Sequence, residues 1–399
     1  MTIQDRTHDL SLIDHHIKNP KALGQILNLA LVGACPKAGP SRYCDVHVLL
    51  LSWEDDHSGL ISEINDLEDL FRHVYRYITN QWRIPSTNST IALARRILRS
   101  LDEAGTSDKL LIVYYGGHGF INEDRKCVWR CDKRPDAATA HWSSIQTILE
   151  VADSDVLILQ DCCAAAASSA DGLSKGTTEI IAACGFEVSA PAVGEHSFTR
   201  ALIEELRWSA QQRPGPVSIP LLHSKMLTRA KKSGNPRGAA DGGSERRRTP
   251  IYIRVADRSN QRCIELAPLA QLPELVPNQE ASSTTQFSTT YPESVQSSLE
   301  ELFPDLDFVL PKVLVSIALR EGETLLQTPD ATNWLEHFPA VAKCVYVEGV
   351  YRSDDSSTVL LLMLPVAVWD LLPGDPAISF VAFVRSRNLE HNSPLKADE

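Results

Sequence analysis

The sequence predicts an α/β fold, in which an open, mostly parallel sheet flanked by helices is followed by a small C-terminal α+β module. Short, almost purely apolar runs are typical of strands that are buried on both faces of a sheet. These runs alternate with segments of helical periodicity, which is the rhythm of an α/β domain. The composition then changes to Ser, Thr, Pro and Gln before order returns. The predicted organisation is an N-terminal helical appendage at 1–44, an α/β domain at 45–255, a linker at 256–307 and the module at 308–390.

Length and charge restrict the function classes. The chain has 399 residues and a formal net charge of −12, and such an acidic chain is a poor partner for nucleic acid. No apolar run reaches the roughly 18 residues of a membrane span. The apolar segment 22–34 follows acidic residues rather than the basic ones of a signal peptide, so we interpret it as an amphipathic helix. Nine cysteines without regular spacing then indicate reduced thiols in a cytoplasmic protein.

The first elements of the α/β domain follow from hydrophobic periodicity. Val46–Leu51 is predicted to be a buried strand, and 61–78 a helix with one apolar face. Gln81–Ile84 is a short strand candidate before Pro85. A helix then begins at the capping residue Asn88. The residues that we expect to face inward on this helix are Ile91, Ala94, Ile97, Leu98 and Leu101.

Two apolar strands each end in a reactive side chain. The run 110–115 ends in Gly116-Gly-His118-Gly119, and the run that starts at Asp155 ends in Asp161-Cys-Cys163. The carboxyl ends of parallel strands meet at one edge of a sheet, where sites form. A thiol attacks a carbonyl as thiolate, and a nearby histidine can supply the base. The pattern therefore predicts a Cys/His pair at this edge.

The remaining elements complete the two predicted parts. A hairpin near 128–131 and a helix at 143–152 are predicted between the reactive strands. After the second reactive strand come a strand at 178–184, helices that begin at 197 and 219, and a strand at 249–255 that closes the sheet. In the C-terminal part, the order β-α-β-β-α-β over 313–384 is typical of a ferredoxin-like sandwich. We find no reactive cluster in this module and interpret it as a binding or packing module.

The two reactive stretches resemble motifs of the caspase/metacaspase superfamily. Tyr114-Tyr-Gly-Gly-His-Gly119 looks like the His-Gly motif, and Gln160-Asp-Cys-Cys163 looks like the Asp-x-Cys motif of metacaspases. The 45 residues between His118 and Cys163 are close to the roughly 50 expected between His and Cys in caspases. Glu63-Ile-Asn-Asp66 is similar to the Asn-Asp of the family's first helix. The resemblance covers about 45–255, and the arrangement with a C-terminal module also resembles fungal caspase-domain proteins.

This resemblance implies a caspase-like fold and a cysteine-type endopeptidase. Cys163 would be the nucleophile and His118 the general base, with the backbone N–H groups of Gly119 and Cys163 as the oxyanion hole. Asp161, helped by Asp66, would line the substrate pocket. Two carboxylates there imply polypeptide substrates cut after Arg or Lys, in proteolysis or cell death. Family members are processed between their halves, which makes Lys175 a candidate self-cleavage site, and the basic loop with Lys231, Lys232 and Arg246 is a second one.

The chain departs from the family pattern in three places. Gly116 stands where metacaspases usually carry Ser, and Ala164-Ala-Ala166 replaces the usual His-Ser-Gly after the cysteine. The acids that bind calcium in many metacaspases have no counterpart in His141-Trp-Ser-Ser144, so we expect no calcium dependence and no other cofactor. Cys127, Cys131 and His141 lack the fourth ligand of a structural zinc site.

Two alternatives remain open on the residues themselves. Adjacent strand residues point to opposite faces, so either Cys162 or Cys163 can face His118, and only the motif favours Cys163. A different class of function is a catalytically inactive caspase-like scaffold in a cell-death or stress pathway, with partners bound through the C-terminal module. The sequence does not indicate the oligomeric state.

Overall fold

The computed structural model describes residues 15–35, 39–55, 59–105, 107–162, 176–184, 197–212, 215–232, 249–255, 262–270, 311–320, 333–352 and 357–386. They fall into two compact units, residues 35–304 and residues 1–34 with 305–399. Both contain helices and strands, one around a mostly parallel sheet and the other around an antiparallel sheet, as the sequence predicts. No helix in these ranges is long and apolar enough to cross a lipid bilayer.

The larger unit is built on a six-stranded sheet in the described part of the chain, with the order β10-β8-β7-β3-β1-β2. The strand β10 is antiparallel to β8, and every other neighbouring pair is parallel. The central strands are buried on both faces, which explains their continuous apolar sequences. The six strands are β1 (Asp45–Trp53), β2 (Ile78–Ile84), β3 (Lys109–Gly116), β7 (Asp155–Asp161), β8 (Thr178–Ala182) and β10 (Ile251–Val255).

Helices cover both faces of this sheet. A large buried cluster lies on the face that carries Tyr115 and Cys162, and it includes side chains of α3 and α4. On the opposite face α2 and α5 contact one another, and α2 also contacts β1. The helices of this unit are α2 (Ile61–Asp69), α3 (Ser89–Ala104), α4 (Trp142–Glu150), α5 (Phe198–Gln212) and α6 (Ile219–Lys232).

Short strands complete the unit. A three-stranded antiparallel sheet of β4 (His118–Ile121), β5 (Cys127–Arg130) and β6 (Thr139–Ala140) follows β3 directly. A second small sheet pairs β9 (Val217–Ser218) with β11 (Glu265–Leu266). Residues 262–270 therefore pack on this unit, although the sequence pattern placed them in a linker, and the Tyr77 hydroxyl also donates to the carbonyl oxygen of Ala267 at 2.9 Å.

The helix predicted over 61–78 is shorter than its apolar pattern. It ends at Asp69, continues as one π-helical turn over Leu70–Val74, and gives way to β2 at Ile78. Arg76 has a φ of 60°, a conformation that no right-handed helix accommodates. Phe71 stacks on Tyr77 at 5.8 Å between ring centroids. Tertiary packing of these rings thus overrides the helical periodicity.

The inward face predicted for α3 is partly wrong. Ile97 is fully buried, but Ile91 is 55% exposed and Leu98 is 48% exposed. The buried stripe instead runs through Leu93 and Ile97 to Ala104. The apolar residues of this helix extend over a wider sector of its surface than the sheet buries. Periodicity alone therefore cannot predict which apolar residues face the sheet.

The smaller unit contains the predicted ferredoxin-like sheet. The first strand, β12, lies between β14 and β15, and β14 pairs with β13, always antiparallel. The N-terminal helix α1 (Pro20–Ala34) belongs to this unit and contacts its short helices. A Cβ on Gly24 of α1 would lie 2.1 Å from the Phe338 ring, so glycine permits this close packing. The elements are β12 (Lys312–Leu319), a 3-10 helix (Asn333–His337), α7 (Pro339–Ala342), β13 (Tyr346–Arg352), β14 (Thr358–Pro365), α8 (Val366–Trp369) and β15 (Ile378–Val384).

Candidate active site

The two reactive stretches meet at the carboxyl edge of the large sheet. β3 and β7 are adjacent and parallel, and their register places Gly116 opposite Asp161. Beyond the last pair, the Gly117 N–H donates to the Asp161 carbonyl oxygen at 3.2 Å. His118 is the next residue after Gly117 and starts β4. Strand pairing therefore brings the segment that carries His118 to the end of β7.

His118 and Gly119 lie in a strand that is held by a hairpin. His118 is opposite Arg130 and Gly119 is opposite Trp129 in the antiparallel pair of β4 and β5. Both residues are half-buried. The Tyr115 hydroxyl donates to the His118 carbonyl oxygen at 2.8 Å, so the main chain of the histidine is also bound from the sheet side.

The two candidate nucleophiles differ in what the structure describes. Cys162 is fully buried in the apolar cluster that includes Tyr115 and Trp129. Its carbonyl oxygen is approached by the Cys184 thiol at 3.6 Å. Cys163 lies outside the described residues, as do Ala164 to Ala166 and the predicted self-cleavage residue Lys175.

Asp161 is a buried acid with a defined hydrogen-bond partner. Its Oδ2 accepts the Thr199 hydroxyl at 2.6 Å and the Thr199 backbone N–H at 3.3 Å. The Thr199 hydroxyl proton is used in this bond, so the Tyr114 hydroxyl, 2.6 Å away, is the donor to Thr199. Burial raises the pKa of Asp161 to about 6; the Thr199 hydrogen bond opposes this rise, and the charge of Glu63 adds to it.

A second buried acid, Glu63, lies near Asp161. The Ser197 hydroxyl donates to Glu63 Oε2 at 2.8 Å and accepts the Arg200 N–H at 3.0 Å. Ser197 thus caps the start of α5 while it binds the acid. Thr199 donates its N–H from the first turn of the same helix. The positive end of α5 therefore faces both carboxylates and stabilises negative charge on them.

Asp66, the acid singled out by its motif, lies elsewhere on α2. Its side chain is 51% exposed and pairs with Arg200 at 3.3 Å. Three residues earlier, Glu63 is 6% exposed and lies within electrostatic influence of Asp161. Sequence reasoning missed Glu63, Ser197 and Thr199. The available signal was that Glu63 lies on the apolar face of an amphipathic helix. An acid on such a face is rarely fully buried unless it is paired.

Gly116 is explained by its neighbours. A Cβ at this position would lie 2.2 Å from a Leu60 methyl group and 2.7 Å from the Tyr114 hydroxyl oxygen. The leucine side chain and the tyrosine hydroxyl thus fill the space that a side chain at position 116 would need.

Metal ligands do not gather in the described ranges, where no group of three or more His, Cys, Asp or Glu side chains could hold an ion. Cys127 and Cys131 are both buried in the described part of the chain as free thiols.

Comparisons with known proteins find likeness in structure only. No protein-family profile matches the chain, and no curated protein matches it. The crystal structure of caspase-1 from Spodoptera frugiperda aligns with a TM-score of 0.40 and 11% identity, over 58% of this chain and 94% of that one. The Drosophila initiator caspase Dronc aligns with a TM-score of 0.38 and 14% identity, over 56% of this chain and 84% of that one. Protein GSU0716 from Geobacter sulfurreducens aligns with a TM-score of 0.37 and 13% identity, over 53% of this chain and 94% of that one. TM-scores below 0.5 do not establish a shared site, so a functional assignment has to rest on this chain's own residues.

Proposed function

We propose that this chain is a cysteine endopeptidase of the caspase-like kind that cuts polypeptides after Arg or Lys through Cys163 and His118. The observation that carries the proposal is the Gly117 N–H bond to the Asp161 carbonyl oxygen, at 3.2 Å. Cys163 follows Asp161 by two residues, so covalent geometry limits their Cα separation to about 7 Å. His118 follows Gly117 by one residue. We therefore pair the imidazole of His118 with the thiol of Cys163, because these two residues follow the hydrogen-bonded pair along the chain.

The reaction follows from the chemistry of this pair. His118 takes the thiol proton, and the thiolate of Cys163 attacks the substrate carbonyl carbon. The carbonyl π electrons move to the oxygen, where backbone N–H groups such as that of Gly119 stabilise the charge. Collapse breaks the C–N bond, and the imidazolium protonates the leaving amine. Water, deprotonated by His118, then hydrolyses the thioester and releases a carboxylic acid and the free thiol.

Burial supports Cys163 over Cys162 as the nucleophile. Cys162 is fully buried in an apolar cluster, and a buried structural cysteine is out of reach of a substrate carbonyl. Side chains alternate along a strand, and Asp161 and Cys162 already occupy opposite faces. No disulfide links the described cysteines, which agrees with the reducing, cytoplasmic location that we propose.

The buried acids support a preference for basic side chains. Asp161 and Glu63 are each 6% exposed and lie at the positive end of α5. A guanidinium or ammonium group that enters beside them favours the charged carboxylates and relieves their mutual repulsion. We include the exposed Asp66 as a peripheral acid of this pocket.

The same burial favours a second function, the inactive scaffold. Thr199 already donates a hydrogen bond to Asp161, and Ser197 donates one to Glu63. A substrate cation therefore has to share the two carboxylates with these hydroxyl groups. In this alternative the acids stabilise the fold, and the protein binds partners without cleaving them.

One experiment separates the two. Wild type, Cys163→Ala and Cys162→Ala are incubated with fluorogenic Arg, Lys and Asp substrates, with calcium and with a chelator. The peptidase predicts turnover of Arg and Lys substrates that only Cys163→Ala abolishes, with no need for calcium. Absence of turnover by wild type, with Cys163 inert to thiol probes, supports the scaffold. Loss of activity in Cys162→Ala alone overturns the choice of nucleophile.

Self-processing is a further part of the proposal. Lys175 and Arg246 lie outside the described residues, and Lys231 and Lys232 end α6. Intact-mass measurement during long incubation is expected to show fragments that begin after one of these residues, and no fragments from Cys163→Ala. An active enzyme that stays intact excludes this step and leaves the peptidase assignment standing.

A further inference from the structure

We propose that Tyr115 is a positioning residue for His118: its hydroxyl holds the main chain of His118 and thereby sets the direction from which the imidazole approaches the thiol. This inference rests on the proposed peptidase function. Tyr115 is the last side-chain-bearing residue of β3 before the two glycines, and its ring is 1% exposed.

The Tyr115 hydroxyl makes two hydrogen bonds with different roles. It donates its single proton to the His118 carbonyl oxygen at 2.8 Å. It accepts the indole N–H of Trp53, on the neighbouring strand β1, at 2.9 Å. The indole occupies an acceptor position of the hydroxyl oxygen, so the single proton of the hydroxyl is directed to the histidine main chain. This second bond joins the main chain of His118 directly to the last side chain of β3.

A stack of aromatic rings also joins Tyr115 to the strand that pairs with the histidine segment. The Tyr115 ring stacks on Trp129 with centroids 3.6 Å apart and an interplanar angle of 7°. Trp129 in turn stacks on Trp142 of α4 at 3.9 Å. Trp129 lies in β5 opposite Gly119, the residue after His118. The tyrosine therefore contacts the segment through its hydroxyl at His118 and through its ring at the strand paired with Gly119.

The glycine between Tyr115 and His118 is required by this arrangement. Gly117 has a φ of 156°, and a Cβ at this position would lie 2.6 Å from the Tyr115 hydroxyl oxygen. The hydroxyl can reach the His118 carbonyl only because Gly117 has no side chain. The absence of a side chain at Gly117, between β3 and β4, thus leaves room for this hydrogen bond.

A purely structural role for Tyr115 makes a different prediction, and Trp53 separates the two. Tyr115→Phe removes both hydrogen bonds and leaves the ring stack in place. Trp53→Phe removes the indole–phenol bond and some core volume, but keeps the donor to His118. Both variants lose core stability, and only Tyr115→Phe loses the contact with the histidine main chain.

The test compares these two variants with wild type on the Arg substrate. We expect kcat to fall about tenfold in Tyr115→Phe with KM unchanged, since a small misplacement of a catalytic group slows chemistry without affecting binding. We expect Trp53→Phe to keep kcat within about twofold of wild type. Urea denaturation shows whether the two variants are comparably destabilised. Equal kcat losses in both variants, or a loss confined to KM, overturn the inference.

An activity-independent measurement distinguishes failure of this inference from failure of the proposed function. The alkylation rate of Cys163 by iodoacetamide is followed by peptide mass spectrometry from pH 5 to 9. A thiol activated by His118 reacts fast near neutral pH, and in Tyr115→Phe its profile moves toward that of an ordinary thiol. A fast, unchanged profile in Tyr115→Phe refutes the positioning role alone. A slow, ordinary profile in wild type, together with no turnover, refutes the Cys/His pair itself.

Discussion

The Gly117 N–H and the Asp161 carbonyl oxygen, 3.2 Å apart, join the residue that follows β3 to the last residue of β7. The bond lies at the point where both apolar runs change to polar and reactive residues. Because it is a main-chain bond, it keeps the two segments together whatever side chains follow. The residues around this bond are expected to affect both the stability of the protein and its turnover of substrate.

Substitution of Gly117 by Ala is expected to destabilise the protein and to abolish turnover. The new Cβ would contact the Tyr115 hydroxyl at 2.6 Å, and a φ of 156° is strained for a residue with a side chain. Such strain costs about 1–3 kcal/mol. Urea denaturation and kcat are measured. The matched control is Gly39→Ala, where the added Cβ meets nothing within 4 Å. Equal stability of the two variants would contradict the prediction.

Substitution of Gly116 by Ser is expected to lower stability. Its side chain would collide with the Leu60 methyl group, at 2.2 Å from the added Cβ. Overpacking of this kind costs about 1–3 kcal/mol. The double variant Gly116→Ser with Leu60→Ala removes the collision and should recover part of the free energy of unfolding. If the double variant is less stable than the sum of its single changes, Leu60 is not the residue that excludes the serine.

The two acids of α2 are expected to differ in their effect on substrate binding. Glu63→Gln removes the buried charge near Asp161, and we expect KM for the Arg substrate to rise about tenfold, the size of one charge-assisted hydrogen bond. Asp66→Asn removes an exposed charge that already pairs with Arg200, so KM should change less than about threefold. A larger rise in KM from Asp66→Asn than from Glu63→Gln would show that Asp66, the acid identified by its motif, is the main acid of the pocket.

Stability is expected to fall as the pH rises from 7 to 9 because of Glu179. This fully buried residue of β8 accepts the Ile264 N–H at 2.9 Å, and burial raises its pKa to about 8. The pKa is higher in the folded state, so above the ordinary pKa of glutamate the folded state holds a proton that the unfolded state has lost. Stability therefore falls as the pH rises toward 8 and levels off above that value. Between pH 7 and 9 the loss is about 1.4 kcal/mol.

The Glu179→Gln variant tests this expectation. Glutamine keeps the acceptor for Ile264 but does not titrate, so the free energy of unfolding should be flatter from pH 7 to 9 than in wild type. Exposed Glu123→Gln is the control and should keep the wild-type slope. Parallel slopes for wild type and Glu179→Gln would show that the carboxyl group does not titrate in this range.

Local patterns in the sequence predicted the strands that form the site better than the helices around it. The runs 110–115 and 156–159 are apolar throughout, and only central strands of a parallel sheet bury both faces in this way. The helix faces were harder to predict. Ile91 and Leu98 are as apolar as Leu93, and their exposure depends on which stripe of α3 the sheet can cover. The end of α2 likewise depends on the packing of Phe71 and Tyr77.

The sequence by itself determined the α/β class, the ferredoxin-like order of the C-terminal strands and the two stretches that meet at the sheet edge, because these follow from periodicity along the chain. Only the tertiary structure decided which acid accompanies Asp161, why position 116 has no room for a side chain, and that α1 packs within the C-terminal unit. Each depends on contacts between residues distant in the chain, such as Thr199 with Asp161 and Tyr115 with Trp53. Such contacts leave no periodic signal, since they are set by how the helices and strands pack.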